Sequence, residues 1–269
     1  MGNAGQRSGE LKFKTKDMYS KKIDTISLSK TVLIRLSAMD YENHKENHKE
    51  NNGSSIEQLI FPMKIEKKGN NLVDRISEQE LRLLFIEEFK KAYSAFFYSI
   101  ETPTKLKYSF EKKHKNIISN SDGQSALIDM CIFERINNEY QRILNIEFKY
   151  KNTAYKNIEK DILKLISENN NGVFIHLLHN TDRGTFCKKG ETGIFDKFRK
   201  SFSDFQKKWN DEDKFIQLII ISLKQKALIH RVLKKNDLKN LNNIFFTKSD
   251  CGNIKEIKGY GWEIEVTKE

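Results

Sequence analysis

Apolar residues recur at two different spacings in the middle of the chain, and the changes of spacing divide it into helices and strands. A helix is predicted from Ser77, because Ser77 and Glu80 have the spacing of a capping box and the next apolar residues recur at helical intervals. These apolar residues are Leu81, Leu84, Phe85, Phe89 and Ala92. Aromatic runs at 96–100 and 108–110 then predict two short strands separated by a turn at Pro103.

Two further strands are predicted at 125–133 and 143–150, joined by the polar segment 134–142. Helical spacing returns at Tyr155, and an Asn-rich stretch ends that helix. The near-continuous apolar run at 173–178 is typical of a strand covered on both faces. The predicted order is helix, three or four strands, helix, strand. This order indicates an α/β fold.

The segments on either side of the core at 77–178 are interpreted as additions to it. The C-terminal part, 179–269, is expected to extend the same sheet. Its predicted elements are a helix at 194–209, strands at 215–223 and 263–266, and a helix or strand at 227–233.

The N-terminal part, residues 1–75, is expected to be an extension of irregular character. Its repeated Glu, Asn, His and Lys residues predict a mobile loop at 42–55, because such a composition cannot bury a face. The chain is therefore divided into this extension and one domain at 76–269.

The composition is that of a globular protein, with 38% hydrophobic and 32% charged residues in a chain of 269. A formal net charge of +11 and a pI near 9.3 indicate a polyanionic partner, because clustered lysines gain free energy by releasing counterions from nucleic acid. Abundant lysine also results from AT-rich coding DNA. The charge alone is therefore equally compatible with a protein that binds nucleic acid and with one that does not.

The cysteines Cys131, Cys187 and Cys251 are far apart, which predicts neither a disulfide framework nor a structural zinc site. No apolar run is long enough to span a bilayer, and the amino terminus lacks the apolar core of a signal peptide. We therefore expect a soluble, cytoplasmic protein without a membrane partner.

One carboxylate interrupts an otherwise apolar strand. Asp129 shares its face of the strand at 125–133 with Leu127, Cys131 and Phe133. A carboxylate in such a strand is costly to bury unless it is paired or binds a metal ion. Nothing on its own strand compensates Asp129, so we expect its partner on a neighbouring element.

The next strand carries alternating polar residues that point to one surface. Leu144, Ile146 and Phe148 face one way, whereas Glu147 and Lys149 project together from the other face. An ion pair on a half-exposed sheet is the simplest interpretation of this alternation. If the two strands pair, however, Asp129 and Glu147 converge with Lys149 beside them.

A divalent cation would remove the repulsion between the two carboxylates, and Mg²⁺ prefers oxygen ligands. Asp129, Glu147 and the carbonyl of Phe148 would hold Mg²⁺, with Mn²⁺ as a substitute, and the metal would lower the pKa of a bound water. Lys149 would orient the attacking water and offset developing negative charge, or act as a base if its pKa were depressed. These are the requirements of phosphodiester hydrolysis.

An Asp on one strand and Glu-x-Lys on the next, followed by a helix and a strand, resemble the PD-(D/E)XK nuclease superfamily. This superfamily includes restriction endonucleases and archaeal Holliday junction resolvases. The resemblance covers the core at 77–178, and Ile128 stands where many members have Pro before the Asp. It implies a restriction endonuclease-like core within 76–269, with a mixed central sheet flanked by helices. It also implies a metal-dependent endonuclease acting on DNA.

The resemblance also implies a glutamate from the first core helix. Glu88 falls inside the apolar stripe of that helix, where an acid needs a partner, so the helical wheel favours Glu88. Glu80 is already explained as a capping residue, but resolvase-like helices carry their glutamate near the helix start, which favours Glu80. Glu87 lies off the edge of the stripe. We rank Glu88 first and keep Glu80 as the alternate.

Several lysines near these strands are candidates for nucleic-acid contacts. They are Lys105, Lys107, Lys113, Lys151 and Lys156. The first three are interleaved with Tyr108 and Phe110, a pattern found in nucleic-acid-binding surfaces. A basic hairpin edge that prevents aggregation explains them equally well. A solvated helix face explains Lys156 equally well.

The sequence thus favours a Mg²⁺-dependent deoxyribonuclease, and the resemblance implies a role in restriction, defence or repair. A homodimer would suit double-strand cleavage, although no interface is evident in the sequence. One alternative is a catalytically inactive nucleic-acid-binding protein on the same fold. Another is a regulatory or assembly subunit of a multi-protein system, with the basic surface docked on an acidic partner protein, which could belong to a defence system.

Overall fold

The computed structural model describes residues 23–42, 59, 61, 63–65, 72–74, 76–110, 115–118, 124–188, 193–247 and 254–267. The helices in these ranges are α1 (Thr25–Glu42), α2 (Glu78–Ala92), α3 (Tyr155–Ser167), α4 (Arg183–Phe186), α5 (Ile194–Phe205) and α6 (Leu241–Ile244). The strands are β1 (Met63–Ile65), β2 (Leu72–Asp74), β3 (Phe97–Phe110), β4 (Lys115–Ile118), β5 (Gln124–Ile136), β6 (Glu139–Tyr150), β7 (Asn171–Leu178), β8 (Phe215–Ser222), β9 (Ala227–Lys234) and β10 (Glu263–Val266). Short 3-10 helices occur at Gln206–Lys208, Lys235–Asn240 and Ile254–Tyr260.

Eight of the described strands form one mixed sheet in the order β10-β9-β8-β7-β6-β5-β3-β4. Strands β3, β5 and β6 are antiparallel neighbours, whereas β6, β7 and β8 run parallel. Strands β1 and β2 form a separate antiparallel pair. The protein is therefore an α/β structure with a mixed sheet, and this confirms the predicted fold class at that level.

Helices cover both faces of the sheet. Ile158 of α3 and Phe198 of α5 are fully buried in the apolar core on one face. Leu33 of α1 and Phe85 of α2 are fully buried in the core on the other face. Every residue of β7 is buried, which explains the near-continuous apolar run in its sequence.

The helix predicted from Ser77 is α2, and its capping box is formed by Ser77 and Glu80 as predicted. Strand β10 has the predicted bounds, and the segment left open between helix and strand is β9. The segment predicted as the helix at 194–209 forms α5, followed by the 3-10 helix Gln206–Lys208.

Two predicted interruptions of strands are wrong. Pro103 lies within the single long strand β3, at an irregularity of the register between Pro103 and Lys107. Proline lacks an N–H for the ladder, and a strand accommodates it where the pairing shifts. The polar segment 134–142 continues β5 into β6 through a tight turn. Asn137 and Asn138 form that turn at φ of 49° and 66°, values that asparagine tolerates better than most residues.

The N-terminal part contains a helix that the expectation of an irregular extension missed. Helix α1 packs against α2, and Val32, Leu33 and Leu36 are completely buried. Their spacing is helical, so α1 contributes its apolar stripe to the core that also contains Phe85. The loop predicted at 42–55 lies outside the described residues except for Glu42 at the end of α1.

Among the described helices, none has the length and apolar character that a membrane span requires.

Candidate active site

The structure brings together the three side chains that the sequence analysis selected on two strands. Asp129 lies on β5, and Glu147 and Lys149 lie on the adjacent antiparallel strand β6. The regular ladder between these strands reaches the pair Met130 and Ile146. Beyond that pair the Asp129 side chain replaces the backbone as hydrogen-bond acceptor, because its Oδ2 accepts the Phe148 N–H at 2.8 Å. Asp129 is therefore fixed beside the Glu-x-Lys segment.

Glu147 is completely buried and faces helix α3. Its Oε1 lies 2.6 Å from Nζ of Lys164, a buried lysine on that helix. Burial raises the pKa of Glu147; Lys164 lowers it, and the negative charges of Asp161 and Asp129 raise it again. The net result is a pKa well above the usual range, so Glu147 resists ionisation in the absence of additional positive charge.

Lys149 is held between two acids from the flanking helices. Its Nζ lies 2.9 Å from Oδ2 of Asp161 on α3 and 3.5 Å from Oε2 of Glu78 at the start of α2. Burial lowers the pKa of Lys149, but Asp161 and Glu78 raise it above its usual value overall. Lys149 therefore stays charged. This corrects the suggestion that it acts as a base with a depressed pKa.

Asp161 and Lys164 complete the arrangement from α3. Lys164 Nζ lies 2.9 Å from Asp161 Oδ1 and donates a hydrogen bond of 2.8 Å to the carbonyl of Leu127 on β5. Burial raises the pKa of Asp161, but Lys164 and Lys149 hold it below its usual value. Asp161 is thus an ionised acid shared by two lysines.

We refer to these six residues as the acid–lysine cluster. Its members are Glu78, Asp129, Glu147, Lys149, Asp161 and Lys164. With every member ionised, four acids and two lysines leave the cluster with two excess negative charges. The pKa of Glu78 is raised by burial and, against the opposing effect of Lys149, by Asp129 and Asp161. An additional positive charge beside the cluster would therefore favour the ionised forms of Glu147 and Glu78.

The structure does not bring Glu88 to this cluster. Glu88 pairs with Arg35 of α1 at 2.8 Å and with Lys91 at 2.7 Å. An acid in an apolar stripe needs a partner, and here the partner is an arginine from a helix that was not predicted. Glu80 accepts the Ser77 N–H at 2.7 Å and is occupied as the capping residue. The helix glutamate that reaches Lys149 is Glu78.

The oxygen atoms near Asp129 fit a divalent cation of the Mg²⁺ type. Apart from the ion pair between Lys164 and Oε1, no donor among the described residues reaches the buried carboxylate of Glu147. Asp129 is close enough to raise the pKa of Glu147 by its charge, and the carbonyl of Phe148, the next residue after Glu147, accepts Lys149 Nζ at 3.1 Å. In the described ranges no three His, Cys, Asp or Glu side chains are grouped closely enough to enclose a metal ion. Mg²⁺ commonly uses only one or two protein carboxylates and keeps several waters, so two carboxylates suffice.

The turn after β6 is held from the neighbouring elements. His176 of β7 is buried, and its Nε2 lies 2.6 Å from the carbonyl of Lys151. Burial lowers the pKa of His176 to about 4, so the ring is neutral and donates to that carbonyl. Lys197 of α5 donates to Asn152 Oδ1 and to the Thr153 carbonyl. These bonds fix the segment that directly follows Lys149, with Lys151 at φ of 62°.

The lysines predicted to contact nucleic acid are distributed around the same end of the sheet. Lys105 and Lys107 are exposed on β3, and Lys107 pairs with Ser125, four residues before Asp129 on β5. Lys151 and Lys156 are exposed in the turn after β6 and at the start of α3. Lys113 lies outside the described residues.

Three members of the cluster were missed in the sequence: Glu78, Asp161 and Lys164. Asp161 had a detectable signal, because it lies beside Ile158 and Leu165 on the apolar side of the helical wheel of α3. Lys164 lies one residue before Leu165, but only its partners in the fold distinguish it from an ordinary surface lysine. Glu78 had no signal of its own, since acids are common in the first turn of any helix.

Comparison of the chain with protein-family models, with characterised proteins and with solved structures found no match.

Proposed function

We propose that this protein is a Mg²⁺-dependent nuclease that hydrolyses phosphodiester bonds, with DNA as the preferred substrate. The observation that carries the proposal is the convergence of Asp129 and Glu147 from adjacent strands, with the charged Lys149 next to them. Two acids and a lysine in this order are the residues that the PD-(D/E)XK resemblance implies. Glu78 supplies the additional acid from the first core helix.

The order of elements supports a restriction endonuclease-like core. Helix α2 precedes the antiparallel strands β3, β5 and β6, and α3 then leads to β7, which is parallel to β6. This is the helix, strands, helix, strand arrangement expected from the resemblance. It places Glu147 and Lys149 at the carboxyl end of a parallel pair, where open α/β sheets commonly bind ligands.

Metal binding, charge stabilisation and positioning are assigned to different residues of the cluster. Asp129, Glu147 and the Phe148 carbonyl would hold Mg²⁺, which supplies charge stabilisation at phosphorus and a bound water of lowered pKa. Lys149 remains protonated, so it orients the attacking water and offsets negative charge that develops on the phosphate. Asp161 and Glu78 fix the position of its ammonium group. Lys149 therefore acts as an electrostatic catalyst and not as a base.

The choice of DNA follows from charge and from the resemblance together. The chain has a formal net charge of +11, and exposed lysines lie on both sides of the cluster on β3 and at the start of α3. Such a surface attracts phosphate groups and releases counterions from them. A role in restriction, defence or repair rests on the resemblance alone.

The test is cleavage of plasmid, linear duplex, single-stranded DNA and RNA in Mg²⁺, Mn²⁺ or a chelator. We expect cleavage in Mg²⁺ and Mn²⁺, no cleavage in chelator, and loss of cleavage in Asp129→Ala and Glu147→Gln. Glu139→Gln is the matched control, because Glu139 is an exposed glutamate on the same strand as Glu147.

The other outcomes identify the alternatives. Cleavage that survives Asp129→Ala would exclude the assigned site. Binding of DNA without cleavage in either metal would indicate a catalytically inactive nucleic-acid-binding protein. Absence of binding at low salt would indicate a regulatory or assembly subunit.

A further inference from the structure

The ammonium group of Lys164 contacts the Glu147 carboxylate at a position that a bound cation could also occupy. The Lys164 side chain is 4% exposed, and its Nζ has three oxygen neighbours. These are Oε1 of Glu147 at 2.6 Å, Oδ1 of Asp161 at 2.9 Å and the carbonyl of Leu127 at 2.8 Å. They belong to β6, α3 and β5, so the ammonium lies where three elements of the fold meet.

This position conflicts with a metal ion at the same carboxylate. A lysine ammonium is a compact charge, and a divalent cation on Glu147 would share one carboxylate with it. Two cations on one buried carboxylate repel each other strongly, because few solvent molecules screen them. The metal and the ammonium therefore oppose each other at Glu147.

The neighbours of Lys164 offer a way to relieve the conflict. Asp161 and the Leu127 carbonyl already contact the ammonium, so it can leave Glu147 and retain two of its three oxygen partners. Asp161 remains ionised, because Lys164 and Lys149 hold its pKa low. The cluster thus provides two positions for one ammonium group.

We propose that Lys164 is an internal cation that competes with the divalent metal for Glu147, and that metal binding shifts the ammonium towards Asp161. This inference rests on the proposed function and concerns the regulation of the same site. It makes metal affinity a property that α3 sets through Lys164 and Asp161. In the absence of metal, the Lys164 ammonium occupies Oε1 of Glu147 and keeps the site inactive.

The test is Mn²⁺ binding measured by calorimetry without nucleic acid. Lys164→Met removes the ammonium and keeps a long apolar side chain. We expect its affinity for Mn²⁺ to exceed that of the wild type by roughly tenfold or more, the range typical of coupled sites. Lys164→Arg retains the charge and is expected to gain nothing. Lys214→Met is the control, because Lys214 is also buried on the α3 side but donates to the Ile166 and Glu168 carbonyls. It should lose stability without gaining Mn²⁺ affinity.

Removal of Lys164 leaves Glu147 uncompensated, so the variant has a second readout. A Lys164→Met protein that folds only when Mn²⁺ is added supports the proposal. If Lys164→Met folds neither with nor without Mn²⁺, the variant Asp161→Asn tests the proposal instead. Without the Asp161 carboxylate, the Lys164 ammonium keeps Glu147 as its acidic partner. A lower Mn²⁺ affinity of Asp161→Asn supports the proposal, and an unchanged or higher affinity overturns it.

The outcomes separate this inference from the proposed function. Cleavage by the wild type in Mn²⁺, with no affinity gain in Lys164→Met, overturns the inference and leaves the nuclease assignment intact. An affinity gain with no cleavage by any variant supports the competition and overturns the nuclease assignment. Failure of both wild type and Lys164→Met to bind Mn²⁺ overturns both.

Discussion

Lys149 and Asp161 form an ion pair of 2.9 Å that joins strand β6 to helix α3 at the edge of the acid–lysine cluster. The pair is largely shielded from water, since the side chains of Lys149 and Asp161 are 15% and 6% exposed. Water therefore screens the attraction less than at a surface ion pair. Asp161 thus fixes the direction of the Lys149 ammonium group and keeps it protonated, a role that no residue on strand β6 fills.

Asp161→Asn is expected to reduce the rate of cleavage without preventing folding. The amide keeps the shape of the carboxylate but no longer holds the ammonium by charge, so Lys149 is left with Glu78 as its acidic partner. We expect kcat at saturating metal to fall roughly 10-fold to 100-fold, as for other partners that orient a functional group, with little change in KM. Single-turnover cleavage rates measure this effect. Asp204→Asn, on the neighbouring helix α5, should retain the wild-type kcat, and an unchanged kcat in Asp161→Asn would contradict the positioning role.

The glutamates of helix α2 should separate into functional and structural groups. Glu78→Gln is expected to lower kcat by roughly tenfold, because Lys149 loses one of its two acidic partners. Glu88→Gln should leave kcat unchanged and reduce the free energy of unfolding by about 1.5–3 kcal/mol, since it weakens a charged contact with Arg35. Parallel activity assays and urea titrations of both variants test this. Loss of activity in Glu88→Gln at full stability would restore Glu88 to the site.

Most of the fold could be predicted because its elements have strong periodic patterns. Helix α2 has a capping box and an apolar stripe, and β7 has a near-continuous apolar run. Pro103 was misleading, because proline usually ends a strand but is accommodated at an irregularity of β3. The turn at Asn137 was missed, because two asparagines in the left-handed region are less diagnostic than Asn-Gly.

Only the part of the candidate site that lies on single strands could be predicted from the sequence. Asp129 and the Glu-x-Lys segment stand out, because alternation on a strand fixes which side chains share a face. The pairing of Lys164 with Glu147 depends instead on how α3 packs on the sheet. The partner of Glu88 depends likewise on helix α1, for which only the buried apolar stripe of residues 28–39 gives a signal. Contacts between distant segments leave no local pattern, so these partners emerge only in the folded chain.

Stability without metal should decrease as the pH rises above the ordinary pKa of a glutamate, and Glu147 should account for part of the decrease. Its pKa is raised above the ordinary 4.5, first by burial, so the folded state binds the proton more tightly than the unfolded chain. The resulting stabilisation is complete below the unfolded pKa and is lost as the pH rises through the folded pKa. The loss attributable to this one proton is at most about 1.4 kcal/mol per pH unit.

Urea unfolding in chelator from about pH 5 to about pH 8 measures this loss, and the comparison is with Glu147→Gln, which cannot ionise. The difference in free energy of unfolding between the two proteins should shift in favour of the variant as the pH rises. Curves that remain parallel over this range would show that Glu147 does not titrate there. Asp161 does not contribute in this window, because its lowered pKa makes its effect appear only in stronger acid.

The lysines of β3 should determine how DNA binding depends on salt. Lys105 and Lys107 are both exposed, and their positions two residues apart place them on one face of the strand. If each contacts a phosphate, the variant Lys105→Ala/Lys107→Ala should reduce the slope of log affinity against log salt by about 2, with similar losses for different DNA sequences. Fluorescence anisotropy over a salt series measures the slope, and Lys239→Ala, an exposed lysine of the Lys235–Asn240 helix, is the control. An unchanged slope would mean that these lysines protect the edge of the sheet from aggregation and do not bind nucleic acid.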